Sequence, residues 1–197
     1  MSAPHGKSMK ITIDGKSGSG KSTICKELAR RLAEDFNLLV TRHSAGDFAR
    51  QLAKERGMTI LELLKIADTD SAIDKEIDAR TKKFGEEHDN FIMDGRVTGL
   101  FVPDAIRIFL DVDLDVAAKR IYEAKRKDEH NPTLQETKEK IVRRYDLEMS
   151  RYEQYYAFDF TDPKHYDLVI DTSHLTIEEI LDRIIAFIKE KEHLSCA

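Results

Sequence analysis

Residues 15–23 read GKSGSGKST, which sets Gly15, four intervening residues and then Gly20, Lys21 and Ser22. That spacing suits the phosphates of a nucleotide. Glycines permit tight turns and close approach, so backbone N–H groups can wrap the anion. Lys21 adds a compact positive charge at the β- and γ-phosphates, Ser22 offers a hydroxyl oxygen to Mg²⁺, and the helix starting there turns its positive end toward the ligand. Gly15, Lys16, Ser17, Gly18, Ser19, Gly20, Lys21, Ser22 and Thr23 are therefore the expected ATP-binding run. KITI before it alternates like a strand, and Ile24, Leu28, Leu32 and Phe36 behind it fall at helical spacing.

A triphosphate site serves either hydrolysis or transfer to an acceptor. The guanine-reading N-K-x-D segment expected of a hydrolysing GTPase does not occur. Transfer to a phosphorylated acceptor demands more cations, since two unit charges 5 Å apart repel by roughly 3 kcal/mol at an effective dielectric near 20. Arg50 closes SAGDFAR after the second apolar run and Arg96 closes MDGR after the third, each placed to meet an acceptor. Asp94 ends its strand where a carboxylate can hold Mg²⁺ through water, alongside Ser22. In RYDLEMSR, Arg144, Glu148 and Arg151 share one helical face. Two readings stand for that face: arginines for phosphate with a carboxylate for a base amine, or an i, i+4 ion pair on a solvated helix. Asp74 and Asp78, also four apart, receive no catalytic role; they either orient basic groups or face water.

The elements that must position these groups alternate. Apolar runs at 10–13, 38–43, 90–94, 106–112 and 167–171 are separated by helical patterns. This implies a three-layer α/β fold around a five-stranded parallel sheet, with ligands at the carboxyl ends of the strands. Residues 46–88 read as a helical insertion, with Thr59 capping ILELLKIA, and 114–156 as a charged helical stretch broken at Asn131-Pro132. Thr176 and Glu179 form a capping box for the last helix.

The chain has 197 residues, 41% hydrophobic and 35% charged, enough for one domain spanning 9–197 behind a loose tail at 1–8. A net charge of −5 argues against nucleic acid as a partner. Cys25 and Cys196 have no metal or disulfide spacing, and no apolar run reaches the roughly 18 residues of a membrane span, so a cytoplasmic setting without a membrane partner is expected.

The ordered set GKSGSGKST, SAGDFARQLAKERGMTILE, AIDKEIDAR, DGRVTGLFVPDAIRIFLDV, RRYDLEMSRYEQYYAFD and YDLVIDTS resembles the cytidylate kinases, in particular their short archaeal-type branch, from Lys10 to about Ser173. The resemblance implies a P-loop nucleoside monophosphate kinase fold with an acceptor-binding insertion at about 46–88 and a lid at about 120–156. It implies that Arg50 and Arg96 grip the acceptor monophosphate together with Ser44, Asp47 and Asp94. It further implies that Glu148 helps to read cytosine while Arg144 and Arg151 bind phosphate, and that Arg120 is a lid arginine closing on ATP. Lys21, Arg96, Arg120, Arg144 and Arg151 are the expected catalytic set. Departures are visible: YEAKRKDEHNPT is longer and more charged than the archaeal pattern, Tyr145 stands where an acid is common, and MDGR and FVPDA look like the bacterial branch. Lys125, Arg126 and Lys127 read as a solvated charge run, with lid cations as the alternative. The expected reaction is transfer from MgATP to CMP or dCMP by a monomer; a kinase for UMP or AMP, and a P-loop switch without transfer, are the other readings.

Overall fold

In β1 (Lys10–Gly15), Ile11 and Ile13 point to one face while Thr12 and Asp14 point to the other, and all four are buried. A strand covered on both faces belongs at the centre of a sheet. The structure, a computed structural model, describes residues 8–67, 70–124 and 133–192. It pairs β1 in parallel with β3 (Phe91–Asp94) on one side and β4 (Ile106–Asp111) on the other. β2 (Thr41–Ser44) and β5 (Leu168–Asp171) complete the five-stranded order β2-β3-β1-β4-β5. Because the end of β1 lies between the ends of β3 and β4, Gly15, Asp94 and Asp111 finish on one rim of the sheet.

Ile11, Ile13, Ile92, Ile108 and Leu110 form the face that α1 (Lys21–Phe36) and α8 (Ile177–Glu192) cover with Ile24, Leu28, Leu32, Leu181 and Ile184. Each fully buried aliphatic side chain there contributes about 1.5–3 kcal/mol relative to exposure. The opposite face is aromatic. Phe91 and Met93 meet Phe48 of α2 (Ala45–Glu55) and Phe84 of α4 (Ser71–Glu87). Phe109 and Phe160 meet Tyr145 and Tyr152 of α7 (Leu134–Tyr156). Leu52, Leu63 and Ile73 give α2, α4 and the intervening α3 (Ile60–Ala67) a small core of their own. Thr59 and Thr176 both accept from the amide three residues on, and the Glu62 and Glu179 carboxylates return the bond. Both capping boxes are formed as their sequences require.

The second strand differs from its sequence expectation. The apolar run at 38–43 suggests a buried strand, yet the paired residues are Thr41–Ser44, at the edge of the sheet, and Leu39 is 79% exposed. Asn37 ends α1 in the left-handed region, and Leu38 and Val40 pack against the main core as the chain crosses back.

Asp14 is a buried carboxylate that must be compensated. It accepts from the Thr98 amide (2.8 Å), the Thr98 hydroxyl (2.6 Å) and the Gly99 amide (2.8 Å), which fixes the start of α5 (Thr98–Phe101) behind Arg96. α6 (Leu114–Glu123) lies against α7; of the tail expected at 1–8, Ser8 is described and its hydroxyl donates to Asp89, while residues 1–7, the Asn131-Pro132 break, Lys125 to Lys127 and Cys196 lie outside the described residues. Among the described residues no helix is long and apolar enough to cross a membrane.

Candidate active site

The loop after β1 is held by contacts too close for any side chain. A Cβ on Gly15, at φ 150°, would stand 2.2 Å from the Leu110 carbonyl oxygen, and one on Gly18, at φ 79°, would stand 2.8 Å from Cα of Ala117 in α6. These glycines therefore set the loop against β4 and α6. Lys21 Nζ donates to the carbonyls of Gly15 and Lys16, both at 2.8 Å, so its ammonium is held at the mouth of the loop. Lys16 turns away and pairs with Asp111 at 2.7 Å. The buried Ser19 hydroxyl has no hydrogen-bond partner among the described residues, and Thr23 is exposed beside Ser22 on the first turn of α1.

Ser22 Oγ donates to Asp94 Oδ2 at 3.2 Å, bringing a hydroxyl and a carboxylate together at the helix start. Burial raises the Asp94 carboxyl above the ordinary range, opposed by the Ser22 bond and by Lys21. Two hard oxygen donors fit Mg²⁺ held mainly by phosphates and water. Among the described residues there is no cluster of three or more acidic, His or Cys side chains able to cage a metal alone.

Burial, and Arg96 next, lower the Lys21 ammonium to about 7, against the pull of Asp94, Glu148 and Asp14. A polyphosphate placed on that ammonium raises it again. Binding of MgATP at pH 8 is therefore expected to take up a substantial fraction of a proton, and affinity should weaken as pH rises above 7. Calorimetry in two buffers of different ionisation enthalpy measures the uptake; equal apparent enthalpies in both would contradict it.

Arg96 is the centre of the other half. Its guanidinium donates to the Gly15 carbonyl (2.6 Å) and the Ser17 hydroxyl (2.9 Å), and its Nε lies 2.8 Å from Glu148 Oε2. Arg144 Nε meets the other Glu148 oxygen at 2.9 Å. Thus Glu148 does sit between two arginines, but they are Arg144 and Arg96, while Arg151 pairs with Asp74 of α4 at 2.9 Å. The helical spacing puts Arg144 and Glu148 on one face; the approach of Arg96 from β3 supplies the second partner. A cavity of about 280 Å³ adjoins this cluster, lined by Lys16, Ser17, Arg96, Leu114, Tyr145 and Glu148.

Ser44 caps α2, accepting from the Asp47 amide at 3.0 Å, and Arg50 donates to Asp47 at 2.6 Å with its own side chain 60% exposed. Burial opposes ionisation of Asp47, but the bonds from Arg50 and Ser44 outweigh it and hold the carboxyl low. Arg50 faces solvent on α2 and pairs with Asp47 rather than with the Arg96 cluster. Arg120 is in α6, where it donates to the carbonyls of Thr172 (2.7 Å) and Gly18 (3.4 Å) and to the Thr172 hydroxyl (3.2 Å). Those bonds clamp the P-loop to the turn after β5.

Sequence reading left Asp14, Asp74 and Asp78 without roles. Asp78 accepts from the Tyr156 hydroxyl at 2.7 Å, so both α4 carboxylates bind α7. Their i, i+4 spacing was the visible signal; their partners lie nearly eighty residues away.

The model of the cytidylate kinase-like family matches residues 10–174. A cytidylate kinase of Methanocella arvoryzae is 39% identical over 165 residues, covering 84% of this chain and 88% of that protein. One of Methanocorpusculum labreanum is 37% identical over 188 residues, covering 93% of this chain and all of the other. Among solved structures, the shikimate kinase of Bacteroides thetaiotaomicron superposes with a TM-score of 0.64 over 93% of this chain and 99% of that one, at 16% identity, a likeness of fold alone.

Proposed function

The chain belongs to the cytidylate kinase-like family, and from that premise we propose that it transfers the γ-phosphoryl group of ATP to CMP or dCMP. An oxygen of the acceptor phosphate attacks the γ-phosphorus, the bond to the β-bridging oxygen breaks, and ADP leaves with CDP or dCDP as the second product. The observation that carries this reading is Arg96. It comes from the acceptor side of the sheet yet touches the P-loop at Gly15 and Ser17, so one guanidinium can serve two adjacent phosphates.

Lys21 follows the charge that builds on the transferred group, and Arg96 and Arg144 relieve the repulsion between the two anions. Glu148 aims those two arginines. Asp47 and Arg50, within the helical insertion at about 46–88, and Ser44 just before it stand at the entrance for the acceptor monophosphate. Arg151 acts through Asp74 rather than alone. Arg120 holds the P-loop in shape, and α7, within the lid expected at about 120–156, helps to keep water from replacing the acceptor. No strong general base is needed, because a phosphate monoester with a second pKa near 6 is already ionised at pH 7. Ser22 and Asp94 would hold Mg²⁺, which would supply positive charge against that of the phosphates. The free, buried Cys25 suits a reducing cytoplasm, and the chain is taken to act as a monomer.

A coupled ADP-release assay with MgATP and CMP, dCMP, UMP, AMP or GMP, against a no-acceptor control, tests the proposal. Turnover confined to CMP and dCMP is the expected result. Preference for another monophosphate would overturn the base assignment, and ADP release indifferent to every acceptor would overturn the transfer itself.

A further inference from the structure

On the side of Arg96 away from the P-loop lies a second, smaller cavity of about 80 Å³. Asp74, Asp78, Thr81, Arg96, Phe101 and Tyr152 are among the residues that line it. Its chemistry is graded. Arg96 offers a cation at the wall nearest the P-loop, Phe101 and Tyr152 offer flat aromatic surface, and α4 contributes two carboxylates. A nucleoside monophosphate has the same gradient, with an anion at one end and a planar base at the other.

The carboxylates are not equivalent. Asp74 is engaged in its 2.9 Å ion pair with Arg151. Asp78 accepts from Tyr156 through Oδ2, which orients the group and leaves the capacity of Oδ1 for a ligand. An ionised carboxylate can only accept, and the pyrimidines differ at the matching position: cytosine carries an amine that donates, uracil a carbonyl that accepts. Glu148, by contrast, has both oxygens met by Arg96 and one of them by Arg144 as well.

We propose that Asp78 is the residue by which this enzyme separates cytosine from uracil, its carboxylate, oriented by Tyr156, accepting from the exocyclic amine of the base. The inference rests on the pyrimidine monophosphate kinase reading and names the group that carries its selectivity. Burial raises the Asp78 carboxyl to about 6; Tyr156 opposes, Asp74 adds to the rise and Arg151 opposes it. At pH 7.5 the group is therefore an acceptor. Arg151 neutralises Asp74, the other carboxylate of the wall, so Asp78 is the one left to meet a donor.

The test measures kcat/KM for CMP and for UMP at pH 7.5 in the wild type, Asp78→Asn, Tyr156→Phe and Glu148→Gln. Asp78→Asn should lower the CMP-to-UMP ratio by roughly tenfold or more, through KM for CMP, because an amide can present a donor to uracil. KM for ATP should stay where it was. Tyr156→Phe should move the ratio the same way by a smaller factor, and it decides the matter if Asp78→Asn does not fold. An unchanged ratio in a folded Asp78→Asn, with both activities reduced alike, would show a purely structural carboxylate and overturn the inference. So would a ratio that collapses in Glu148→Gln but not in Asp78→Asn. A wild type inactive on every pyrimidine monophosphate would instead overturn the parent reading, an outcome visible before any variant is made.

Discussion

Lys21→Ala is expected to reduce kcat/KM for phosphoryl transfer by roughly 10³-fold while leaving the melting temperature unchanged or slightly higher. The ammonium sits on the Gly15 and Lys16 carbonyls at the end of β1, already placed for the phosphates. Lys16 is turned toward Asp111, and Arg96, which shares the Gly15 carbonyl, is also engaged by Ser17 and Glu148, so neither takes the place of the ammonium. Stability should not follow activity, because the side chain is desolvated and holds its proton poorly. Removing it relieves a cost of folding. Initial rates and a thermal scan on the same preparation make the comparison. A loss below tenfold, or a melting point many degrees lower, would mean that Lys21 is a structural tie.

Arg96→Ala should lower both quantities. Loss of its contact with the transferred group and the acceptor costs roughly 10³-fold in kcat/KM, as removal of an arginine from a phosphoryl-transfer site does. Its side chain is 11% exposed and that of Glu148 only 12%, so the truncation strands a carboxylate in a poorly hydrated place with Arg144 alone to answer it. Breaking such a pair from one side costs about 3 kcal/mol. The double variant Arg96→Ala/Glu148→Gln separates the effects: urea unfolding should show most of the stability regained, and the assay should show none of the activity regained. A double variant as unstable as the single one would place the cost in packing against Phe160 instead.

What could be read in the chain beforehand follows the range of the interactions. The P-loop, the cap at Thr59, the capping box at Thr176 and the α/β alternation are written within a few residues and were legible there. The family resemblance added the acceptor positions. The pairing of Glu148 was not legible, because Arg96 lies 52 residues earlier and only the tertiary fold brings the turn after β3 to α7. The same holds for Arg120: its spacing speaks of a helix, while its bonds to Gly18 and Thr172 depend on the turn after β5. β2 misled for a different reason. Hydrophobicity marks what is buried, and at the sheet edge Leu38 and Val40 are partly buried before the strand begins, while Thr41 and Arg42 inside it face water.

One helix, α7, carries Arg144 and Glu148 at the phosphate cluster and Arg151 and Tyr156 on the α4 carboxylates. At 1.5 Å per residue, the span from Arg144 to Tyr156 is about 18 Å of continuous helix. Neither end can be displaced without loading the other. On the proposed function, occupancy of the acceptor site and occupancy of the P-loop are then linked functions in the thermodynamic sense. Whatever factor a bound monophosphate gives to the affinity for ATP, bound ATP must return to the monophosphate, and that common factor is a property of α7 as much as of either ligand.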